Sequence, residues 1–163
     1  MATALERYAG TSFTEITITL ASLTNGSYQQ GASVDNTGNK FLDVQIGGVI
    51  RSGSVAPTVD TTIDILAYGQ NRTNTDFTAG ASGADAAYTA DGEEGLFKLI
   101  GSIVVDVTTA EDYEFGPWPF ATLFGGHMPP TWGIIVLNGI GQTLDTTEST
   151  SFIGYLGLGI DSV

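Results

Sequence analysis

Met128-Pro129-Pro130-Thr131-Trp132-Gly133-Ile134-Ile135-Val136-Leu137-Asn138-Gly139 decides the fold. The proline pair stops whatever precedes it, because proline lacks a backbone donor and holds the residue before it extended. Residues 132–137 therefore open a fresh element. Their apolar side chains are continuous rather than alternating and rich in β-branched types, the run is short for a helix, and Asn138-Gly139 supplies turn chemistry at its end. The stretch reads as a strand buried on both faces, with Ile134 and Val136 in the core. An inner strand of a two-layer β structure satisfies that requirement, and residues 142–144 continue at the same edge.

The neighbours carry strand periodicity. Ile16, Ile18 and Leu20 alternate with Glu15, Thr17 and Thr19, and Leu42, Val44 and Ile46 alternate with Asp43 and Gln45 until Gly47-Gly48 allows a bulge. Ile63, Ile65 and Ala67 stand opposite Asp64, Leu66 and Tyr68. Ile103, Val105 and Val107 stand opposite Val104 and Asp106, and residues 152–160 form a last, glycine-punctuated strand. Residues 24–27 and 35–39 are turn clusters, and a brief pairing is expected at residues 32–34. Residues 52–59 form a loop. Residues 71–95 are a long excursion of small and polar residues with Phe77 and Tyr88 as its main apolar content, a length that marks a functional or mobile loop. Residues 3–8 are helix-compatible, and residues 1–12 read as a terminal arm before one domain at 13–163. Seven or eight strands without a crossover helix predict an all-β fold, an antiparallel β-sandwich of jelly-roll-like kind.

A chain of 163 residues is long enough to bury roughly 70% of its unfolded surface without a metal or disulfide staple. It has no Cys, 18 acidic and 5 basic residues, and a formal charge of −13. Arg7, Lys40, Arg51, Arg72 and Lys98 are scattered singly, which argues against direct nucleic-acid binding. No apolar run approaches the ~20 residues that cross a bilayer, so no membrane partner is expected. Such an acidic protein must hold a partner through short-range contacts, with the terminal arm or the 71–95 excursion as candidate sources.

Catalytic chemistry finds little footing. His127, the lone histidine, sits in a glycine- and proline-flanked loop and reads as a structural or merely surface residue. Glu15, Asp43, Asp64 and Asp106 fall on the polar sides of their strands, where solvated carboxylates are the default. Asp35-Asn36-Thr37-Gly38-Asn39 fails as a calcium loop because Lys40 stands where glycine is required and Ile46 where glutamate is. Asp91-Gly92-Glu93-Glu94 reads as a solvated loop tip, with weak binding of a divalent ion as the alternative. Asn25-Gly26-Ser27 and Asn71-Arg72-Thr73 fit a glycosylation pattern that is frequent by chance. No catalytic, cofactor-binding or metal-ligating residue is expected, and the protein is not expected to be an enzyme.

Two groups of residues suggest an interface. Leu66, Tyr68, Val104 and Ile135 fall opposite their strands' core sets, so one sheet face carries more apolar side chains than a monomer needs, which predicts self-association. The aromatic run of Tyr113, Phe115, Trp118, Phe120 and Phe124 either fills an end of the sandwich or faces a partner subunit or a sugar; Tyr113, Trp118 and Phe120 are its interface candidates.

Leu23-Thr24-Asn25-Gly26 leading to Ser33-Val34-Asp35-Asn36, the strand containing Leu42-Asp43-Val44, and Pro129-Pro130 followed by Val136-Leu137-Asn138 and Gly141-Gln142-Thr143-Leu144 together resemble small β-sandwich virion structural proteins of tailed bacteriophages, of the capsid decoration or cement type. The resemblance runs from about residue 20 to the C-terminus. It implies a homotrimer made in the host cytoplasm that binds the major capsid protein on the outer surface of the head and stabilises the shell. A tail, baseplate or head-fibre component with carbohydrate binding is the alternative.

Overall fold

The computed structural model describes residues 5–71 and 76–162. Among these residues eleven strands form two antiparallel sheets. In the first sheet β1 (Leu5–Ala9), β11 (Phe152–Ser162), β5 (Asp43–Arg51) and β9 (Asp112–Pro119) lie side by side, and β2 (Thr14–Glu15) also pairs with β11. In the second the order is β7 (Ala86–Tyr88), β3 (Tyr28–Gln30), β10 (Thr131–Asn138), β6 (Thr62–Gly69) and β8 (Lys98–Val104), with β4 (Val34–Asp35) on β10. Helical structure among the described residues is limited to four short 3-10 turns.

The connectivity is that of a jelly roll. With the short β2, β4 and β7 set aside, the remaining strands pair first with last (β1 and β11), second with seventh (β3 and β10), third with sixth (β5 and β9) and fourth with fifth (β6 and β8). That nested pairing is a long hairpin folded over itself, and its two layers bury one apolar core between them.

β10 lies inside the second sheet, paired with β6 along its whole length and with β3 and β4 on its other edge. Trp132, Ile134 and Val136 point between the sheets and meet Ile63, Ile65 and Ala67 from β6 and Val44, Ile46 and Ile50 from β5. Ile135 points the other way and packs with Tyr68, Phe77, Ala79, Ala81 and Phe97. The continuous apolar run thus has a separate cover for each face. Burying each such aliphatic side chain contributes about 1.5–3 kcal/mol. Gly133 sits opposite Tyr68, whose phenol ring occupies the space a Cβ would take. The Tyr68 hydroxyl donates to the Gly31 carbonyl at 2.7 Å.

Three local expectations are corrected. Residues 5–9 form an edge strand on β11 rather than a helix. An isolated helix of that length is marginal in water, whereas the bare edge of β11 offers a ladder of partners. Leu42 is 49% exposed instead of core, because β5 begins only at Asp43. Ile16, Ile18 and Leu20 are buried as the alternation requires, but the regular ladder stops at Glu15. Residues 16–21 instead cross from one sheet to the other: Ile16 N–H donates to Ile153 O at 2.9 Å and Thr17 O accepts from Ala32 N–H at 2.8 Å.

The bulge expected at Gly47-Gly48 is present as a register shift between β5 and β9. The turn at 24–27 closes with Ser27 N–H donating to Thr24 O, and Gly26 takes the positive φ of 76° that favours glycine. In the 35–39 turn Asn36 is buried, its Oδ1 accepting from Phe41 N–H while its Nδ2 donates to Phe41 O.

Candidate functional site: a seam between two sheet edges

β8 ends the second sheet and β9 ends the first, so each has one edge with no strand beside it among the described residues. The two bare edges meet along one side of the sandwich. Between them runs a groove of about 490 Å³, lined from one wall by Val104 and Asp106 and from the other by Glu111, Glu114, Phe115 and Trp118. Trp118 spans it: the indole lies over Gly101 of β8, where an added Cβ would stand 2.8 Å from the ring. Phe115 supports the indole with ring centroids 5.1 Å apart.

The two walls differ in chemistry. β9 carries Asp112 and Glu114, both exposed, and loses two backbone donors at Pro117 and Pro119. β8 has no proline and no carboxylate, and Lys98 is its one charged residue. Leu99 and Val104 are 52% and 57% exposed, and Leu96 just before β8 is 55% exposed. Arg51 is the cation at the β9 wall, with Nη1 2.8 Å from Asp112 and Nε 3.5 Å from Asp145. Burial pushes the Tyr113 phenol up, and the nearby charges of Asp106 and Glu111 add to it.

The seven interface candidates divide. Val104 is exposed on the seam and Trp118 lies half-buried across it. Leu66 is half-buried on the outer face. Tyr68 and Ile135 are fully buried within the chain, which corrects the reading that a partner must cover them. The cover is the chain's own excursion. Phe77 meets Tyr68 edge-on at 5.4 Å, and Tyr88 meets Phe97 at 5.0 Å, so a segment that looks too polar for a core supplies the lid from a few well-spaced rings. Tyr113 and Phe120 are also internal. Phe120 lies between Phe124 at 5.2 Å and Trp132 at 4.7 Å, filling the sandwich interior.

The two proposed sources of attachment are likewise engaged at home, since residues 5–9 pair with β11 and β7 of the excursion pairs with β3. The Arg72 and Thr73 of the second glycosylation tripeptide lie outside the described residues.

Several carboxylates hold backbone instead of standing free. Asp43 Oδ1 accepts from Phe120 N–H at 3.1 Å and Ala121 N–H at 2.7 Å. Glu94 and Asp91 accept from Gly92 and Glu93 N–H groups within their own loop. Where residues 16–21 leave the ladder, Asp85 takes the Thr19 N–H at 2.9 Å and its hydroxyl at 2.6 Å, and Glu148 takes the N–H groups of Leu20 and Ala21 at 3.0 and 2.7 Å. Burial pushes the Asp85 carboxyl up, but the hydrogen bonds from Thr19 and Gln29 outweigh it and leave the group below its ordinary value. His127 is exposed. Among the described residues no three His, Asp or Glu side chains are grouped to hold a metal, and no helix is long and apolar enough to cross a membrane.

Sequence reasoning missed Leu99 and Leu96 as exposed apolar residues and missed the capping work of Asp85 and Glu148. A signal existed for Leu99: Leu99-Ile100 is an apolar pair beside a glycine, with no polar alternation to mark one face as inner. Comparison with protein-family models, curated proteins and solved structures returned no match to this chain.

Proposed function

We propose that the chain is a non-enzymatic structural protein of a tailed-bacteriophage virion, a decoration or cement protein that binds the major capsid protein on the head exterior and stabilises the shell. The observation that carries this reading is the open side of the sandwich, where two bare strand edges and exposed Leu96, Leu99 and Val104 are available to a neighbour. Unpaired edges and clustered apolar side chains are surfaces that natural proteins conceal unless a partner uses them. The jelly roll is also an architecture of viral capsid domains, although a fold alone does not assign a function. Assembly as a homotrimer belongs to the same reading and draws its support from the sequence resemblance.

The test is copy number in purified particles by quantitative mass spectrometry. Many copies per head, removable without loss of the tail, are expected; a few copies that travel with isolated tails would overturn the assignment. That second outcome defines the alternative, a tail, baseplate or head-fibre component with carbohydrate binding. Trp118 and Phe115 beside the Glu114 and Asp112 carboxylates favour it, since rings and carboxylates together recognise sugars. A glycan array with a Trp118→Ala control separates the two.

A further inference from the structure

The open side of the sandwich is asymmetric in a way that specifies its occupant. β8 offers seven residues of edge with no proline, and a bulge at Ile100 lets Leu99 and Val104, five positions apart, share one face; its length is at most roughly 23 Å at about 3.3 Å per residue. β9, across the groove, is poorly suited to pairing, because Pro117 and Pro119 bring no N–H and Asp112 and Glu114 are charged. A strand entering the groove therefore has one edge to pair with, that of β8.

The side chains of such a strand would alternate between two environments. On the outer face they would lie beside Leu99 and Val104, which share that face with Leu66, the cross-strand neighbour of Leu99. On the inner face they would look toward the β9 edge of the groove, whose lining includes Asp106, Glu111, Asp112 and Glu114; Asp112 and Glu114 stand on the outer side of β9, beside Arg51 and Val49, and among the described residues Asp112 is the one of the four with a cation, Arg51, against it. We propose that the seam takes up an extended segment of a partner protein, which adds to β8 as a further strand with apolar residues on its outer face and Lys or Arg on the face turned to β9.

Main-chain hydrogen bonds would supply the affinity and the two alternating faces the specificity, as in other cases of strand addition. A second copy of this chain does not meet the requirement. Its five cations stand singly in sequence, so none of its segments presents two on one strand face. The inference deepens the shell-binding reading by giving the chemistry of the coat segment, and it rests on that reading for the segment's source alone.

The measurement uses the full chain and a nine-residue peptide alternating valine and lysine, followed by tryptophan fluorescence. Trp118 borders the groove whereas Trp132 is fully buried, so the signal reports on the seam, with Trp118→Phe as its control. Saturable binding is expected. N-methylation of alternate peptide amides, which keeps every charge and removes donors, should weaken it by about tenfold or more. A valine–glutamate peptide should not bind, and Glu111→Gln with Glu114→Gln should weaken the lysine peptide severalfold. Equal binding of the N-methylated peptide would reduce the effect to cationic adhesion and overturn the proposal, as would the absence of a Trp118 response. Because no particle is involved, peptide binding by a protein missing from heads would leave the seam chemistry standing and remove the virion reading; failure of the peptide with a protein abundant on heads would do the reverse.

Discussion

The two sides of this jelly roll are finished differently. On one, residues 16–21 leave the ladder and cross between the sheets, and the backbone donors they expose are taken by Asp85 and Glu148. On the other, β8 and β9 simply end, with Trp118 of one laid over Gly101 of the other. A −13 chain uses its carboxylates to cap the crossing segment on one side and to rim the groove on the other. The difference teaches that the acidic composition is in part structural: a carboxylate bonded to two N–H groups caps a stray segment more strongly than a neutral acceptor does. The closed side should consequently be sensitive to substitution in proportion to the hydrogen bonds lost, and the open side nearly indifferent.

The largest effect lies in the core that both sides share. Val136→Asp places a charge among Ile65, Ile134 and their neighbours with no partner, and a cost above about 4 kcal/mol is expected, enough to abolish folding. Circular dichroism would show an unfolded chain; an unchanged melting temperature would contradict the placement of β10. Phe77→Ala is next, at roughly 3 kcal/mol, because it strips the ring that sits on Tyr68. It also uncovers Tyr68 and Ile135, so concentration-dependent self-association in light scattering should appear in the variant and exceed that of the parent.

On the closed side, Asp85→Ala frees the Thr19 N–H and Glu148→Ala frees those of Leu20 and Ala21, and because water reaches most of these donors the cost is about 0.5–1.5 kcal/mol per site. Denaturant unfolding measures both. The Asp85 carboxyl is held below its ordinary value in the folded chain, so the folded state binds its proton less readily than the unfolded state does. Its contribution is therefore complete above the ordinary carboxylate value of 3.8 and is lost as pH falls below it. The stability gap between parent and Asp85→Ala should narrow as the solution is acidified through that range; a gap that widens there would show that the carboxylate form is not the one bonded to Thr19.

What the sequence disclosed and what it withheld follow from the range of the forces involved. The run at 132–137, the alternations at 63–68 and 103–106, and the Gly47-Gly48 bulge are periodic signals of local origin, and each stands where it was read. Leu66, Tyr68 and Ile135 were placed on the correct face, but what covers that face depends on a loop returning from residues 77–97, a contact no local pattern encodes. The same limit applies to residues 5–9, whose helical propensity yields to a strand edge 149 to 157 positions away in sequence. Of the site, Val104 and Trp118 were legible as residues without an obvious place in a core. The groove was not, because it exists only where the fourth pair of strands and the third come to lie at the same side of the sandwich.

The smallest predicted effect is the sharpest test of the contrast. Val104 lies on the outer face of the bare edge of β8, 57% exposed, opposite Thr62 and two positions from Ser102. Replacing it with Ser removes apolar area that is mostly in water already, so the folded chain loses little; a change within about 0.5 kcal/mol is expected, which for a domain of this size moves the melting temperature by at most ~2 °C. Leu99→Ser, at 52% exposure and opposite Leu66, should behave alike. Scanning calorimetry of the two single variants and the double measures this directly. A fall of several degrees would mean that these side chains are already packed, that the edge of β8 is covered by part of this chain, and that the two sides of the sandwich are closed after all. Near-identical melting, joined to a loss of the valine–lysine peptide's binding in the same variants, is the combination an unoccupied edge requires, since their apolar surface then contributes only when a strand is laid against it.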